Sequence, residues 1–291
     1  MTDNRLGFTK AQNLRSLLGS SAFIRAVGAH NGLTAKLAER AGFEAVWASG
    51  FEISASHALP DASLLTMTQF LDAAEAMNAA TSLPVIADCD TGFGGPLNVA
   101  HAVRSYERRG IAGICVEDKV FPKVNSFAAI THELLPADEF NRKIRAGKSA
   151  QATGEFLIVA RTEALVAGFG MDEALARARA YRAAGADAIL VHSKSREPGQ
   201  VLEFATRWDE GAPLIAVPTT YGSVHEKELQ EAGFSMVIYA NQGIRAAIRS
   251  VNSALAVLAD AGRGEAVESQ IVPISEVFDL QGMTDLLAED M

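Results

Sequence analysis

Eight short apolar runs punctuate the chain, and stretches with helical spacing lie between most of them. The runs are FIRAVGAH (23–30), EAVWASG (44–50), LPVIADCD (83–90), GICVEDK (113–119), FLIVART (156–162), AILVHS (188–193), PLIAVPT (213–219) and MVIYAN (236–241). They are nearly continuously apolar rather than alternating, which marks strands buried on both faces of a parallel sheet. Segments such as LTAKLAERAG, NVAHAVRSYERRG and MDEALARARAYRAAGAD supply the covering helices. Eight such units before residue 242 predict a closed (β/α)8 TIM barrel of the α/β class. An open doubly wound sheet is the alternative, but it more often has fewer units and a Gly-rich first turn. Neither GxGxxG nor GxxxxGK[ST] occurs, so the common phosphate loops are absent.

A hydrophobic content of 48% over 291 residues suits one large core, and 1–291 reads as a single domain. Ala41-Gly42-Phe43, Ala184-Gly185-Ala186 and Ala232-Gly233-Phe234 place glycine where a helix closes in the left-handed conformation before the next strand. The tail from about 242 holds IRAAIRSVNSALAVLADAG and then SEVFDLQGMTDLLAED, more than the eighth barrel helix requires. This extra C-terminal helix must bury its apolar face on its own barrel or on a neighbouring subunit.

The net charge of −9 disfavours nucleic acid and anionic membrane as partners. An anionic small-molecule substrate then requires a local positive site, either a metal ion or buried basic residues. Cys89 and Cys115 both lie in apolar runs, so they read as core residues of a protein from a reducing cytoplasm. The N-terminal MTDNRLGFTKAQ lacks the apolar region of a secretory signal, and no apolar run reaches the ~20 residues of a membrane span.

Polar residues collect at the C-terminal ends of the runs, where barrels of this kind build their sites. These are Ser49 and Gly50, Asp88 and Asp90, Glu117 to Lys119, Arg161 and Glu163, His192 and Ser193, Thr219, and Asn241. Asp88, Asp90 and Glu117 come from adjacent strands and should converge. One residue separates the two aspartates, so in a strand they point the same way. Hard oxygen ligands without His or Cys favour Mg²⁺ or Mn²⁺ over Zn²⁺. Arg161, at the end of an apolar strand, needs an anion: Glu163 or a phosphoryl group. Long segments follow the second run (GFEISASHALPDAS, carrying Asp61) and the fourth (VFPKVNSFAAITHELLPADEF, carrying Lys123, Asn125 and Ser126). Loops of that length at the functional end act as lids or binding loops.

The chain resembles the phosphoenolpyruvate mutase/isocitrate lyase superfamily over nearly its full length. The matching pieces are AHNGLTAKLAERAGF, WASGFEISAS, DCDTGFG, EDKVFPKVNS, IVARTEA, AGADAILVHSK and VPTTY. EDK, five residues and then NS is similar to the gating-loop signature of the mutases. The similar phosphonopyruvate hydrolases usually carry Thr where this chain has Asn125. The lyases of the superfamily carry a catalytic Cys on this loop, and this chain has none there. The resemblance implies Mg²⁺ bound directly by Asp88 and through water by Asp90 and Glu117. It implies that the backbone of Ser49, Gly50 and Phe51 cradles a pyruvyl end, with Trp47 beside it and Asp61 orienting it. Asn125, Ser126, Arg161 and His192 would hold the phosphoryl group, and Lys123 would belong to the moving lid. It further implies a cytoplasmic enzyme that interconverts phosphoenolpyruvate and phosphonopyruvate. Hydrolysis of phosphonopyruvate to pyruvate and phosphate is the alternative, and C–C lysis a second. The family also exchanges its last barrel helix between subunits, which implies a helix-swapped homodimer or homotetramer with 242–291 packed on a neighbour. One departure stands out: family members follow NS with a DGR-like run, whereas FAAITHELLP follows here.

Overall fold

The computed structural model describes residues 8–289, so MTDNRLG (1–7) and Asp290 and Met291 at the end of the tail lie outside the described residues. The chain divides into two compact units, Met1–Asn241 and Gln242–Met291.

The first unit is the expected barrel. Strands β1 (Ile24–Ala29), β2 (Ala45–Ala48), β3 (Val85–Asp88), β4 (Gly113–Glu117), β5 (Leu157–Thr162), β6 (Ala188–Val191), β7 (Leu214–Ala216) and β8 (Phe234–Tyr239) close in sequence order. All neighbours are parallel; Val27 stands opposite Val46 on one side of β1 and Tyr239 on the other. Every run in the sequence becomes a strand. The last strand begins at Phe234, two residues earlier than the run suggests, and stops at Tyr239, leaving Ala240 and Asn241 beyond it.

Two apolar layers form because each strand is buried on both faces. Ala26, Ile86, Cys115, Val159, Leu190, Ile215 and Met236 fill the barrel interior. Val46, Ile114, Ile158, Ile189 and Val237 face outward against the helices. Helix α1 (Lys10–Leu18) precedes the barrel and adds Leu14 and Leu18 to the interior cluster. Its capping box, Thr9 with Gln12, is the signal in the sequence for this element.

The crossover helices are α2 (Gly32–Arg40), α4 (Met67–Ala80), α5 (Pro96–Arg108), α6 (Ala137–Ala150), α7 (Met171–Ala183), α8 (Gly199–Thr206) and α9 (Glu226–Glu231). Gly42, Gly185 and Gly233 adopt φ of 79°, 111° and 104°, the left-handed region expected for helix closure. The segment after β2 is not a plain loop: α3 (Gly50–Ser56) forms in it, because Ser49 caps the backbone amide of Glu52. Both cysteines are free and buried.

In the second unit, α10 (Gln242–Ala261) leads to a 3₁₀ segment (Gly264–Gln270), α11 (Ile274–Gln281) and α12 (Met283–Glu289). Gly282, at φ 69°, breaks the last stretch into two helices. Ile248, Val251 and Leu255 lie one to two turns apart on α10 and are 52%, 54% and 57% exposed. Among the described residues no helix is long and apolar enough to cross a membrane.

Candidate functional site

The C-terminal strand ends surround a cavity of about 580 Å³, its open mouth included. Trp47, Ser49, Phe51, Asp61, Asp88, Lys123, Asn125, Ser126, Arg161 and His192 all line it, so the barrel gathers these residues from six separate stretches of sequence.

The acids come together by a route other than strand alternation. β3 ends at Asp88, and Asp90 is not in the strand; its φ of 50° is left-handed. The turn folds the Asp90 amide onto Asp88 Oδ1 at 3.2 Å, while the Asp90 carbonyl accepts the Glu117 amide at 2.8 Å. Local hydrogen bonding therefore overrides the alternation expected of a strand, as aspartate tolerates the left-handed region. Gly50, at the start of α3, completes this corner. A Cβ there would lie 3.2 Å from Asp88 Oδ2 and 3.4 Å from Asp90 Oδ1. Burial pushes the Asp88 carboxyl up, with Glu117 and Asp61 adding to it against the opposing pull of Lys123 and Arg161. Burial and the neighbouring acids raise Asp90 to about 7.

Two buried cations enter this corner. Lys123 reaches in from the segment after β4, with Nζ 2.6 Å from Asp61 Oδ1 and 3.0 Å from Asp90 Oδ1. The second contact is an ion pair without hydrogen-bond alignment, since Asp90 Oδ1 has no hydrogen-bond partner. Asn125 donates from Nδ2 to Asp61 Oδ2 at 2.7 Å, and its backbone amide bonds the Asp61 carbonyl at 3.0 Å. Burial would raise the Asp61 carboxyl, but Lys123 and Asn125 outweigh it and hold it below its usual range.

Arg161 is the second cation. Its Nε faces Glu117 Oε2 at 3.2 Å and also bonds Glu163 Oε1. Its Nη2 donates to Ser126 Oγ at 3.1 Å and meets His192 Nδ1 at 2.8 Å. Glu163 thus holds one edge of this guanidinium, and Nη1 has no hydrogen bond among the described residues. His192 Nδ1 is also 2.8 Å from Glu163 Oε1, which fixes the ring. Burial, helped by Arg161, lowers the imidazole below its usual range, so the ring is neutral at pH 7. Phe127 covers His192 edge-on, ring centres 5.5 Å apart.

The Ser126 hydroxyl is held entirely by protein groups. Its hydroxyl proton goes to Glu163 Oε2 at 2.7 Å, and its lone pairs accept from Lys119 and Arg161. A hydroxyl has one proton and two acceptor sites, and all three are used within the protein. Sequence reasoning gave no role to Lys119 or Phe127. The available signal for Lys119 was a lysine two residues beyond a strand-end glutamate in a run too apolar to leave it solvated.

Around the cavity floor, Asp61, Asp88, Asp90, Glu117 and Glu163 face Lys119, Lys123 and Arg161. Five carboxylates against three cations leave two negative charges uncompensated if all ionise. Asp90 Oδ1 and Glu117 Oε1 are buried without hydrogen bonds. Among the described residues no three His, Cys, Asp or Glu form a set of direct metal ligands. The donors instead fit a hard divalent cation held by one carboxylate and by others through water, the usual habit of Mg²⁺. A charge of +2 matches the deficit.

A family model described as phosphoenolpyruvate phosphomutase matches residues 14–259. A phosphonopyruvate hydrolase from Variovorax sp. (strain Pal2) is 43% identical over 276 residues, 94% of this chain and 95% of that one. The crystal structure of a phosphoenolpyruvate phosphomutase from Streptomyces platensis subsp. rosaceus superposes with a TM-score of 0.95 at 50% identity, covering 96% of this chain and 98% of that one. A phosphonopyruvate hydrolase crystallised with oxalate and Mg²⁺ gives a TM-score of 0.92 at 42% identity, covering 97% and 98%.

Proposed function

Because this chain belongs to the phosphoenolpyruvate phosphomutase family, we propose that it interconverts phosphoenolpyruvate and phosphonopyruvate. The reaction moves a phosphoryl group between the C2 oxygen and C3 of pyruvate enolate. One observation carries this choice: Asn125 ties the lid to Asp61 through both its side chain and its backbone, directly over the cavity. The Asn125 side-chain oxygen also accepts the Phe127 amide at 3.0 Å, setting the ring that covers His192. Such a seal suits a transfer that one admitted water would divert to phosphate.

The charges divide the substrate in two. Its carboxylate end goes to Trp47 and the Ser49–Phe51 backbone, beside Asp88 and Asp90. Its phosphoryl end goes to the free Nη1 of Arg161, with Asn125 as a neutral donor and the His192 ring beside it. Mg²⁺ fits the carboxylate corner and would supply positive charge at the enolate end. The phosphoryl group passes through a loose, metaphosphate-like state, for which the protein supplies placement and charge rather than covalent chemistry. Fixed donors in a dry cavity are suited to that task.

Hydrolysis of phosphonopyruvate is the second reading, favoured by the 43% identity to the Variovorax enzyme. The same cavity with one ordered water would give pyruvate and phosphate. ³¹P NMR of phosphonopyruvate incubated with the protein and Mg²⁺ separates the two. A phosphate ester resonance supports the mutase, free phosphate alone supports the hydrolase, and an unchanged spectrum rejects both. The exposed stripe of Ile248, Val251 and Leu255 supports a further part of the reading, that α10 to α12 pack on another copy in a homodimer or homotetramer.

A further inference from the structure

Lys119 takes no part in lining the cavity, yet it is only 2% exposed. A lysine ammonium out of water costs several kcal/mol unless paired and hydrogen-bonded, so its partners explain its presence. They come from two sides. From the barrel come Glu117 Oε1 at 3.6 Å and Glu163 Oε2 at 3.5 Å. From the segment after β4 come the Val124 carbonyl at 3.1 Å and Ser126 Oγ at 2.6 Å. The same ammonium thus bonds both ends of the short stretch Val124–Ser126, with Asn125 in the middle. Asn125 turns outward to Asp61 while its neighbours on each side are fastened to the floor.

We propose that Lys119 is a positioning residue that docks the lid onto the barrel and fixes Asn125 over the cavity, and so governs whether the transferred phosphoryl group meets water. This rests on the phosphoryl-transfer reading above. The chemistry of Ser126 supports it: with its proton on Glu163 and its lone pairs on two cations, that hydroxyl acts as the peg on which the lid hangs. Lys119, two residues beyond β4, and Arg161, in β5, approach the peg from neighbouring strand ends, so lid position is read against barrel geometry. Asp61 and Lys123 make a second fastening, between two loops.

Lys119→Met keeps the stem and removes the charge. Circular dichroism and a thermal melt first establish that the variant folds. Chymotrypsin then reports on the lid, because Phe127 is 42% exposed on it. Cleavage at Phe127 without substrate should accelerate roughly tenfold once the tie is lost. With phosphonopyruvate, the proportion of free phosphate among the products should rise while KM changes less than kcat. A folded Lys119→Met with wild-type lid cleavage and wild-type product ratio overturns the proposal. Should that variant not fold, Ser126→Ala removes the peg and leaves the ammonium between its two glutamates. Faster lid cleavage in it supports the proposal, and unchanged cleavage overturns it. Failure of the mutase reading is seen separately, as free phosphate alone from the wild-type protein. The lid cleavage test stands in either case.

Discussion

Lys123 Nζ lies 3.0 Å from Asp90 Oδ1, so the lid carries a positive charge into the corner that also suits a divalent cation. A fixed ammonium and an incoming metal repel one another at this range, by several kcal/mol at an intermediate effective dielectric. Lys123→Met should therefore bind Mg²⁺ more tightly, by roughly tenfold, while turnover falls because the lid loses its tie to Asp61. Isothermal titration with Mg²⁺ measures the first effect. Equal or weaker binding would show that Lys123 and the metal do not share the corner.

Asp88→Ala should remove the Mg²⁺ response as a whole. Saturating Mg²⁺ at about 100 times its Kd stabilises a folded binder by about 2.7 kcal/mol. The wild-type melting temperature should rise accordingly on adding Mg²⁺ and fall back with EDTA, and turnover should follow. In Asp88→Ala both responses should vanish. Full wild-type activity in EDTA defeats the metal assignment.

Asn125→Ala should leave the fold intact, because the residue belongs to the lid. Isomerisation should drop by about a hundredfold or more, as for loss of one preorganised donor, and phosphate release should take a larger share. ³¹P NMR time courses read both. Unchanged interconversion in this variant contradicts the role given to the lid.

The pH dependence of stability follows from His192. Burial and Arg161 hold its folded pKa below the ordinary imidazole value of 6.5. As pH falls through 6.5 the unfolded chain takes up a proton that the folded chain resists. The unfolded state then binds more protons, so stability attributable to this ring rises with pH up to that value and is lost on acidification. Urea midpoints at about pH 5 and about pH 7.5 should thus differ less in His192→Asn than in the wild type. Identical differences would place the acid sensitivity elsewhere.

Gly28 offers a test of packing under the site. A Cβ there would stand 2.3 Å from the Ala240 carbonyl oxygen and 2.6 Å from Glu52 Oε1. Glu52 is fully buried and bonds His30 Nδ1 at 2.9 Å, so neither neighbour yields easily. Gly28→Ala should cost about 1–3 kcal/mol. A denaturation midpoint equal to the wild type would mean that β1 and β8 move apart more freely than their pairing suggests.

The sequence alone determined the barrel, because apolar runs of strand length and intervening helical spacing are local properties that survive without neighbours. Strand order followed from chain order, and the strand-end position of Asp88, Glu117, Arg161 and His192 followed from that. The closure glycines were equally legible, since a left-handed residue after a helix favours glycine whatever surrounds it. Tertiary structure decided what those residues do to one another. Asp90 joins Asp88 through a left-handed turn rather than strand alternation. Ser126 gives its proton to Glu163, and Lys119 becomes a buried tie between lid and floor. Such contacts join residues far apart in the chain, as Asp61 does with Lys123 and Asn125. Their energies depend on burial and on the summed charge around them. Neither quantity exists until the barrel closes, and so no reading of spacing could supply them.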